Sequence, residues 1–315
     1  MKSFKRPKTT RVLLFGGLGN QLFQISAGFA AAGEDDLVLD TSIINPIKNP
    51  NWFNSFQDLR ISKQTVFQNN SKLGFIRSRM INLAIRMSTK NSDHLRFERL
   101  HNAFFYFYSL ALQLLIFKGQ KVFISRGVGL KDCDLSKSRG TVLIGYFQSY
   151  ELVFPTSHNS VIEKMRMLLG ISTMREANSS EVVIQLRLGD YEKNSHIGML
   201  ELSYFRRALS IVAMDVNIQS AIVFSDDVDK ALTYLGGNTE LKLQNGESTS
   251  KGAVATLVEM SGHTHFIISN STFAWWAAAL SRSAKNVIAP TPWFSGPNSP
   301  PRIIPPNWIT VSRDG

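Results

Sequence analysis

The chain has 315 residues, 43% hydrophobic and 19% charged, which excludes a disordered chain and an integral membrane protein and leaves room for one large or two medium globular domains. A single cysteine, Cys133, excludes an internal disulfide framework, fits a reducing compartment and reads as an inert structural thiol. The formal net charge of +11 belongs to the first half: residues 1–150 carry 21 Lys and Arg against 9 Asp and Glu, and residues 151–315 carry 14 against 15.

The basic N-terminus is followed by an apolar run, Val12 to Phe15, too short for the core of a signal peptide. Residues 11–15 (RVLLF) read as a strand. The pattern Leu22, Ile25, Phe29 predicts a helix over 20–32, and LVLDTS (37–42) a second strand, so the chain opens as βαβ. The stretch LGFIRSRMINLAIRMS is basic and helical. The apolar run Ala103 to Phe117 has 15 residues, short of the roughly 20 that span a bilayer. It reads as a buried core helix; the alternative is interfacial docking, because Arg77, Arg79, Arg86, Arg96 and Arg99 precede it. Thr141 to Tyr146 reads as a strand followed by a turn and a short helix, and 171–180 as a polar linker between halves. The second half alternates: strands at 181–188, 220–227, 240–243, 265–270 and 286–290, helices at 203–212, 251–262 and 271–281, then a Pro-rich tail packed by its tryptophans. That order predicts a doubly wound parallel sheet.

Four stretches carry candidate chemistry. Gly16, Gly17 and Gly19 mark a strand-to-helix turn without the lysine of a Walker A loop or the third glycine of a dinucleotide fingerprint. Asp40 nonetheless stands where a ribose-binding acid would, so an NAD-type oxidoreductase is an alternative. Gly17 and Gly19 admit close approach to the backbone, and Asn20 and Gln21 place amides at a helix start. In Gln185-Leu-Arg187-Leu-Gly-Asp190-Tyr191 the arginine ends a strand, where it can grip a diphosphate, and Asp190 can orient it or act as a base. Asp226 and Asp227 end the next strand, suited to guanine, ribose or a metal, or to capping the following helix. Ser269, Asn270, Ser271 and Thr272 lead from a strand into a helix, an anion-binding arrangement. The six histidines show no zinc spacing. A basic nucleic-acid-binding module is a third reading, but no recognised motif interleaves basic and aromatic residues.

Taken together, Gly16 to Gln24, Gly145 to Ser149, Gln185 to Tyr191, Ser225 to Asp227 and Ser269 to Ala278 resemble, in order, the motifs of the α-1,2-fucosyltransferase family, glycosyltransferase family 11. The resemblance runs from residue 11 to about 294. It implies an α/β, GT-B-like fold of two Rossmann-type domains facing a cleft, with 1–170 on the acceptor side and 171–315 binding the nucleotide-sugar. It also implies an inverting transfer from a GDP-sugar, usually GDP-L-fucose, with no metal or other cofactor. On this basis Arg187 and Asp190 are the catalytic candidates, and Arg187, Asp226, Asp227, Asn270, Ser271 and Thr272 the donor-binding ones. Gly17, Gly19, Asn20 and Gln21 line the acceptor side. Two positions depart from the family pattern: Gln185 replaces its histidine and Leu188 its second arginine. Glutamine does not titrate, so Gln185 is no general base, and a related GDP-6-deoxy or 3,6-dideoxy sugar such as GDP-colitose stays open as donor. The basic first half suits an oligosaccharide acceptor carried on a lipid diphosphate, with the enzyme cytoplasmic, peripheral on the inner face of the anionic cytoplasmic membrane, and binding no nucleic acid.

Overall fold

The computed structural model describes residues 9–44, 65–68, 74–89, 98–130, 134–154, 161–171, 179–189, 197–236, 241–246, 252–296 and 299–314. Cys133, Asp190 and most of the expected linker lie outside them. The chain forms two compact units, Met1–Leu168 with Pro300–Ile303, and Leu169–Ser299 with Ile304–Gly315. Assignment of Pro300–Ile303 to the first unit was not legible in the proline-rich tail. It follows from pairing at long sequence distance: Tyr150 N donates to Arg302 O at 2.8 Å, and Arg302 Nη1 meets Glu151 Oε2 at 2.8 Å.

In the first unit, β1 (Thr10–Leu13), β2 (Leu37–Asp40), β3 (Thr65–Gln68), β4 (Val122–Ile124) and β5 (Val142–Ile144) form a sheet in the order β3-β2-β1-β5-β4, with every pairing parallel. Parallel strands are enclosed on both sides and so read as continuous apolar runs; Val12, Leu13 and Leu14 are fully buried. Helix α1 (Leu18–Ala32) follows β1 and ends at Gly33, whose φ of 60° lets its N–H return to Phe29 O at 3.1 Å. The helix crosses close to the strands at Gly28, where a Cβ would meet Leu37 at 2.9 Å and Val12 at 3.2 Å.

Helices α2 (Phe75–Ser88) and α3 (Glu98–Leu115) share one core with β1, β4 and β5 through Ile81, Ala84, Met87, Phe105, Leu112, Ile124, Val142 and Ile144. The Tyr108 hydroxyl donates to Met80 O at 2.8 Å and ties the two helices together. The reading of 103–117 as a buried core helix is corrected here. Only one face of α3 enters the core; Phe104, Tyr106, Phe107, Leu110, Leu114 and Leu115 are exposed. The run is apolar all round, so periodicity did not separate an inner from an outer face. No described helix is long and apolar enough to cross a membrane. Helices α4 (Tyr150–Val153) and α5 (Val161–Leu169) complete this part of the chain.

The second sheet contains β6 (Glu181–Leu186), β7 (Ser220–Ser225), β8 (Lys242–Asn245), β9 (His265–Ile267), β10 (Asn286–Thr291) and β11 (Ile309–Ser312). Its order is β11-β10-β9-β6-β7-β8, again parallel throughout. Read from β8 this is the 3-2-1-4-5-6 succession of the dinucleotide-binding fold. Val182, Ile184 and Leu186 point to one face and join Tyr204, Phe205 and Ala208 of α6 (Leu202–Asp215) and Ala231 and Leu235 of α7 (Val228–Gly236). Helices α8 (Ala253–Met260) and α9 (Thr272–Leu280) pack against one another. The Tyr204 hydroxyl donates to Ile268 O at 2.7 Å, with Ile288 O 3.2 Å away and itself accepting from Ile268 N at 3.0 Å. The tail is packed by tryptophans as expected: Trp293 and Trp308 are buried, and Trp308 lies 5.4 Å from the Trp275 ring.

His265 opens β9 and is 1% exposed. Burial first, and then the charge of Lys285, hold its pKa below the ordinary histidine value of 6.5. The unfolded chain therefore takes up this proton at a higher pH than the folded one, so stability is full above about 6.5 and declines as pH falls below it. Thermal melts between neutral pH and pH about 5 should show a smaller acid loss for His265→Leu than for the parent; an equal loss would place the acid sensitivity elsewhere.

Candidate functional site

The second sheet has one point at which the strand order reverses, and in open α/β sheets ligands bind outside the carboxyl ends of the strands there. In the second unit this point lies between β6 and β9. The strand ends place Arg187 on one side of it and Ser269 to Thr272 on the other, so the two anion-binding stretches read from the sequence converge. Gln185 joins them across the reversal: its Oε1 accepts from the Ser269 hydroxyl, and its carbonyl accepts from Ser269 N at 3.1 Å. Gln185 is buried, and its amide stitches the sheet where the family pattern has histidine.

The Arg187 side chain is 38% exposed, and its Nε lies 3.5 Å from Asp226 Oδ2. Asp226 does more than balance that charge. Its Oδ1 accepts from Leu188 N at 2.9 Å and its Oδ2 from Gly189 N at 3.0 Å. A Cβ at Gly189 would stand 2.6 Å from Oδ2, so only glycine brings the backbone this close. Both oxygens of Asp226 thus accept from the loop after β6, and the same carboxylate lies beside Arg187. Asp227 takes the capping role: its Oδ1 accepts from Lys230 N at 3.1 Å at the start of α7. The two acids therefore differ in role: Asp226 binds the loop after β6, and Asp227 caps α7 through one carboxylate oxygen.

Helix α9 begins after Ser271, which sits in extended backbone (φ −96°, ψ 123°) and supplies no side-chain cap. The first turn therefore takes no cap from the Ser271 side chain, and it lies at the positive end of the helix dipole. The Asn270 amide turns inward and donates to Ile197 O at 2.9 Å and Gly198 O at 3.1 Å. Arg313 Nη2 donates to the same two carbonyls at 3.0 and 3.1 Å, and its Nη1 to Trp293 O at 3.3 Å. The Arg313 guanidinium is buried, which lowers its pKa, and it clamps the 197–198 turn with Asn270. Sequence reading missed Arg313, because an arginine in a polar tail carries no local signal of burial.

In the first unit β1 and β5 lie side by side, although three other strands come between them in the chain. The two motifs there, Gly16 to Gln24 and Gly145 to Ser149, meet when Gln148 Nε2 donates to Asn20 Oδ1 at 2.9 Å. Gly16 adopts φ 77°, open to glycine at little cost. Gln24 pairs both ends of its amide with the Phe15 backbone, Oε1 with N at 3.0 Å and Nε2 with O at 3.2 Å. Gln21 is fully buried, and its Nε2 donates to Gly16 O at 2.6 Å. Gln21 thus helps to shape the loop through Nε2, while its buried Oε1 has no hydrogen-bond partner among the described residues. Space opens at Gly17, where an added Cβ would meet nothing within 4 Å. Phe147 is held at φ 53° between these motifs, a strained conformation of the kind found at functional sites. Ser125 and Phe147 fill the space beside Gly145, where a Cβ would collide with both.

Asp40, the acid that an NAD site would require, is taken up by Arg11 Nη1 at 2.7 Å and by Ser42 N at 2.9 Å. Among the described residues no group of three or more His, Cys, Asp or Glu comes together.

This arrangement is that of a glycosyltransferase, and the comparisons place it within one family. The model for glycosyl transferase family 11 matches residues 110–312, more than half the chain, and the chain belongs to that family. It is 25% identical to the O-antigen biosynthesis glycosyltransferase WbnK of Escherichia coli, over 95% of this chain and 99% of that protein. It is 24% identical to an Escherichia coli alpha-1,2-colitosyltransferase, over 89% and 91%. The crystal structure of fucosyltransferase NodZ from Bradyrhizobium aligns with a TM-score of 0.44 at 11% identity, covering 90% of this chain and 95% of that one.

The two acids should separate on substitution. Asparagine caps a helix as well as aspartate, so Asp227→Asn should leave stability within about 0.5 kcal/mol of the parent. Asp226→Asn puts an NH2 opposite a backbone donor and should cost about 1.5–3 kcal/mol. Urea denaturation measures both, and equal effects would contradict these roles.

Proposed function

We propose that this family 11 enzyme transfers L-fucose, or a related GDP-linked 6-deoxy or 3,6-dideoxy sugar such as colitose, from its GDP-sugar to a galactoside hydroxyl in α-1,2 linkage. The observation that carries the reading is the convergence of Arg187 and the uncapped start of α9 on one strand-order reversal. A leaving diphosphate gains negative charge as the bond to C1 breaks, and fixed donors in that position stabilise it most. Arg187 and the N–H groups at Ser271 and Thr272 fill this role. Asp226 keeps Arg187 in place. The curated relatives that match nearly end to end act in O-antigen biosynthesis or transfer colitose, and they support a surface-polysaccharide role with either deoxy sugar as donor.

The transfer is a single inverting displacement. The acceptor oxygen attacks C1, the C1–O bond to GDP breaks with its electron pair leaving on the diphosphate, and the acceptor proton passes to a base. Asp190 is the proposed base. GDP-sugar is a co-substrate, and no metal or other cofactor enters the reading. The Gly17 to Asn20 loop serves the acceptor in the first unit. The acceptor is an oligosaccharide on a lipid diphosphate, presented at the inner face of the cytoplasmic membrane.

Donor hydrolysis and transfer across a panel of GDP- and UDP-sugars would test the reading directly. GDP-sugars should turn over, UDP-sugars should not, and EDTA should leave the rate unchanged; turnover of UDP-sugars alone would refute the donor class. Arg187→Ala should lower transfer by about a hundredfold or more while the melting temperature holds, and near-parental transfer would remove Arg187 from the mechanism. Asp190→Asn should lose rate with GDP affinity kept. Lost affinity instead would make Asp190 a positioning residue.

A further inference from the structure

The geometry points to the outer face of α2 and α3 as a docking surface for an anionic lipid bilayer. Helix α3 commits one face to the core through Phe105 and Leu112. Its opposite face is also apolar: Leu100, Phe107, Leu114 and Leu115 are 64–68% exposed, and Phe104 lies among them. With Leu110, which is 37% exposed, Leu100, Phe104, Phe107 and Leu114 recur at intervals of three and four and form one continuous stripe along the helix. Between Leu100 and Leu115 the sequence has no Lys, Arg, Asp or Glu. An outer face of this kind in water is an exposed patch that marks a partner.

The surrounding charge selects that partner. Helix α2 lies in the same layer and exposes Phe75, Ile76 and Leu83 beside Arg77, Arg79 and Arg86. The Arg79 guanidinium sits 4.8 Å over the Phe75 ring, an aromatic and cationic pair suited to a headgroup region. Beyond the end of α3, Lys118, Lys121 and Arg126 are exposed as well. Residues 74–89 and 100–130 thus hold six exposed cations and no carboxylate. Apolar side chains inserted at the acyl boundary with cations among anionic headgroups is the pattern of an interfacial helix. A second copy of the chain fits less well, because a symmetric contact through this face would bring the same six cations together. With no described helix suited to crossing, the layer lies on the membrane surface.

Flotation of the full chain with vesicles tests this. The protein should float with phosphatidylcholine–phosphatidylglycerol vesicles, far less with phosphatidylcholine alone, and release as salt rises. The double variant Arg79→Gln, Arg86→Gln should partition roughly thirtyfold more weakly onto the anionic vesicles, taking about 1 kcal/mol per cation. Phe107→Asp with Leu114→Asp should lose roughly tenfold or more, with unchanged melting temperature and unchanged turnover of a soluble acceptor. Failure to float with anionic vesicles overturns the proposal. So does a parent that sediments as a dimer and becomes monomeric in the Phe107→Asp, Leu114→Asp variant, which would make the face a self-association surface.

Discussion

The second unit depends on one carboxylate. Asp226 reaches from the end of β7 to the backbone just beyond β6, accepts both the Leu188 and Gly189 N–H groups, and still lies 3.5 Å from the Arg187 guanidinium. Neighbouring parallel strands are linked only by sheet hydrogen bonds, which stop where the strands stop. Asp226 extends that coupling past the last rung. In the proposed transfer this contact favours an arginine already in place when charge develops on the leaving group.

The two units solve the same problem with different chemistry. Around β6 and β9 the strand ends are fixed by charge and by buried polar clamps: Asp226 on the loop, Arg313 and Asn270 on the 197–198 turn. Around β1 and β5 neutral amides do it. Gln24 closes on Phe15, Gln21 on Gly16, and Gln148 on Asn20. In the second unit the fixing groups include charged side chains, and in the first they are neutral amides bonded to the loop backbone and to one another. The strain at Phe147 lies within the amide set, where tight packing against Phe123 and beside Gly145 holds it.

The layer of α2 and α3 shows how a single reading of hydrophobicity can split. The run from Ala103 to Phe117 was long enough for a core helix and too short for a spanning one. Both faces are apolar, and composition alone cannot say that only one of them has a sheet to cover. The cations nearby were visible in the sequence. Their exposure together with the outer stripe was not.

Much of the fold was legible. β1, α1 and β2 appeared through an apolar run, a period near 3.6 and an acidic turn, and the alternation after residue 181 gave the parallel class of the second sheet. β3, β4, α5 and α7 escaped, because three or four apolar residues, or one short amphipathic pair of turns, fall below the length at which periodicity discriminates. β11 lay hidden in a tail that read as merely extended. For the site, sequence determined which residue types stand at strand ends: an arginine, two acids, a serine-rich helix start and a glycine turn. Tertiary structure decided what each one does. Whether Asp226 stays in solvent or meets the Leu188 and Gly189 backbone, and whether Arg313 is solvated or a clamp, depend on groups tens of residues away. Those distances are closed only when the sheet forms, and no local pattern records them.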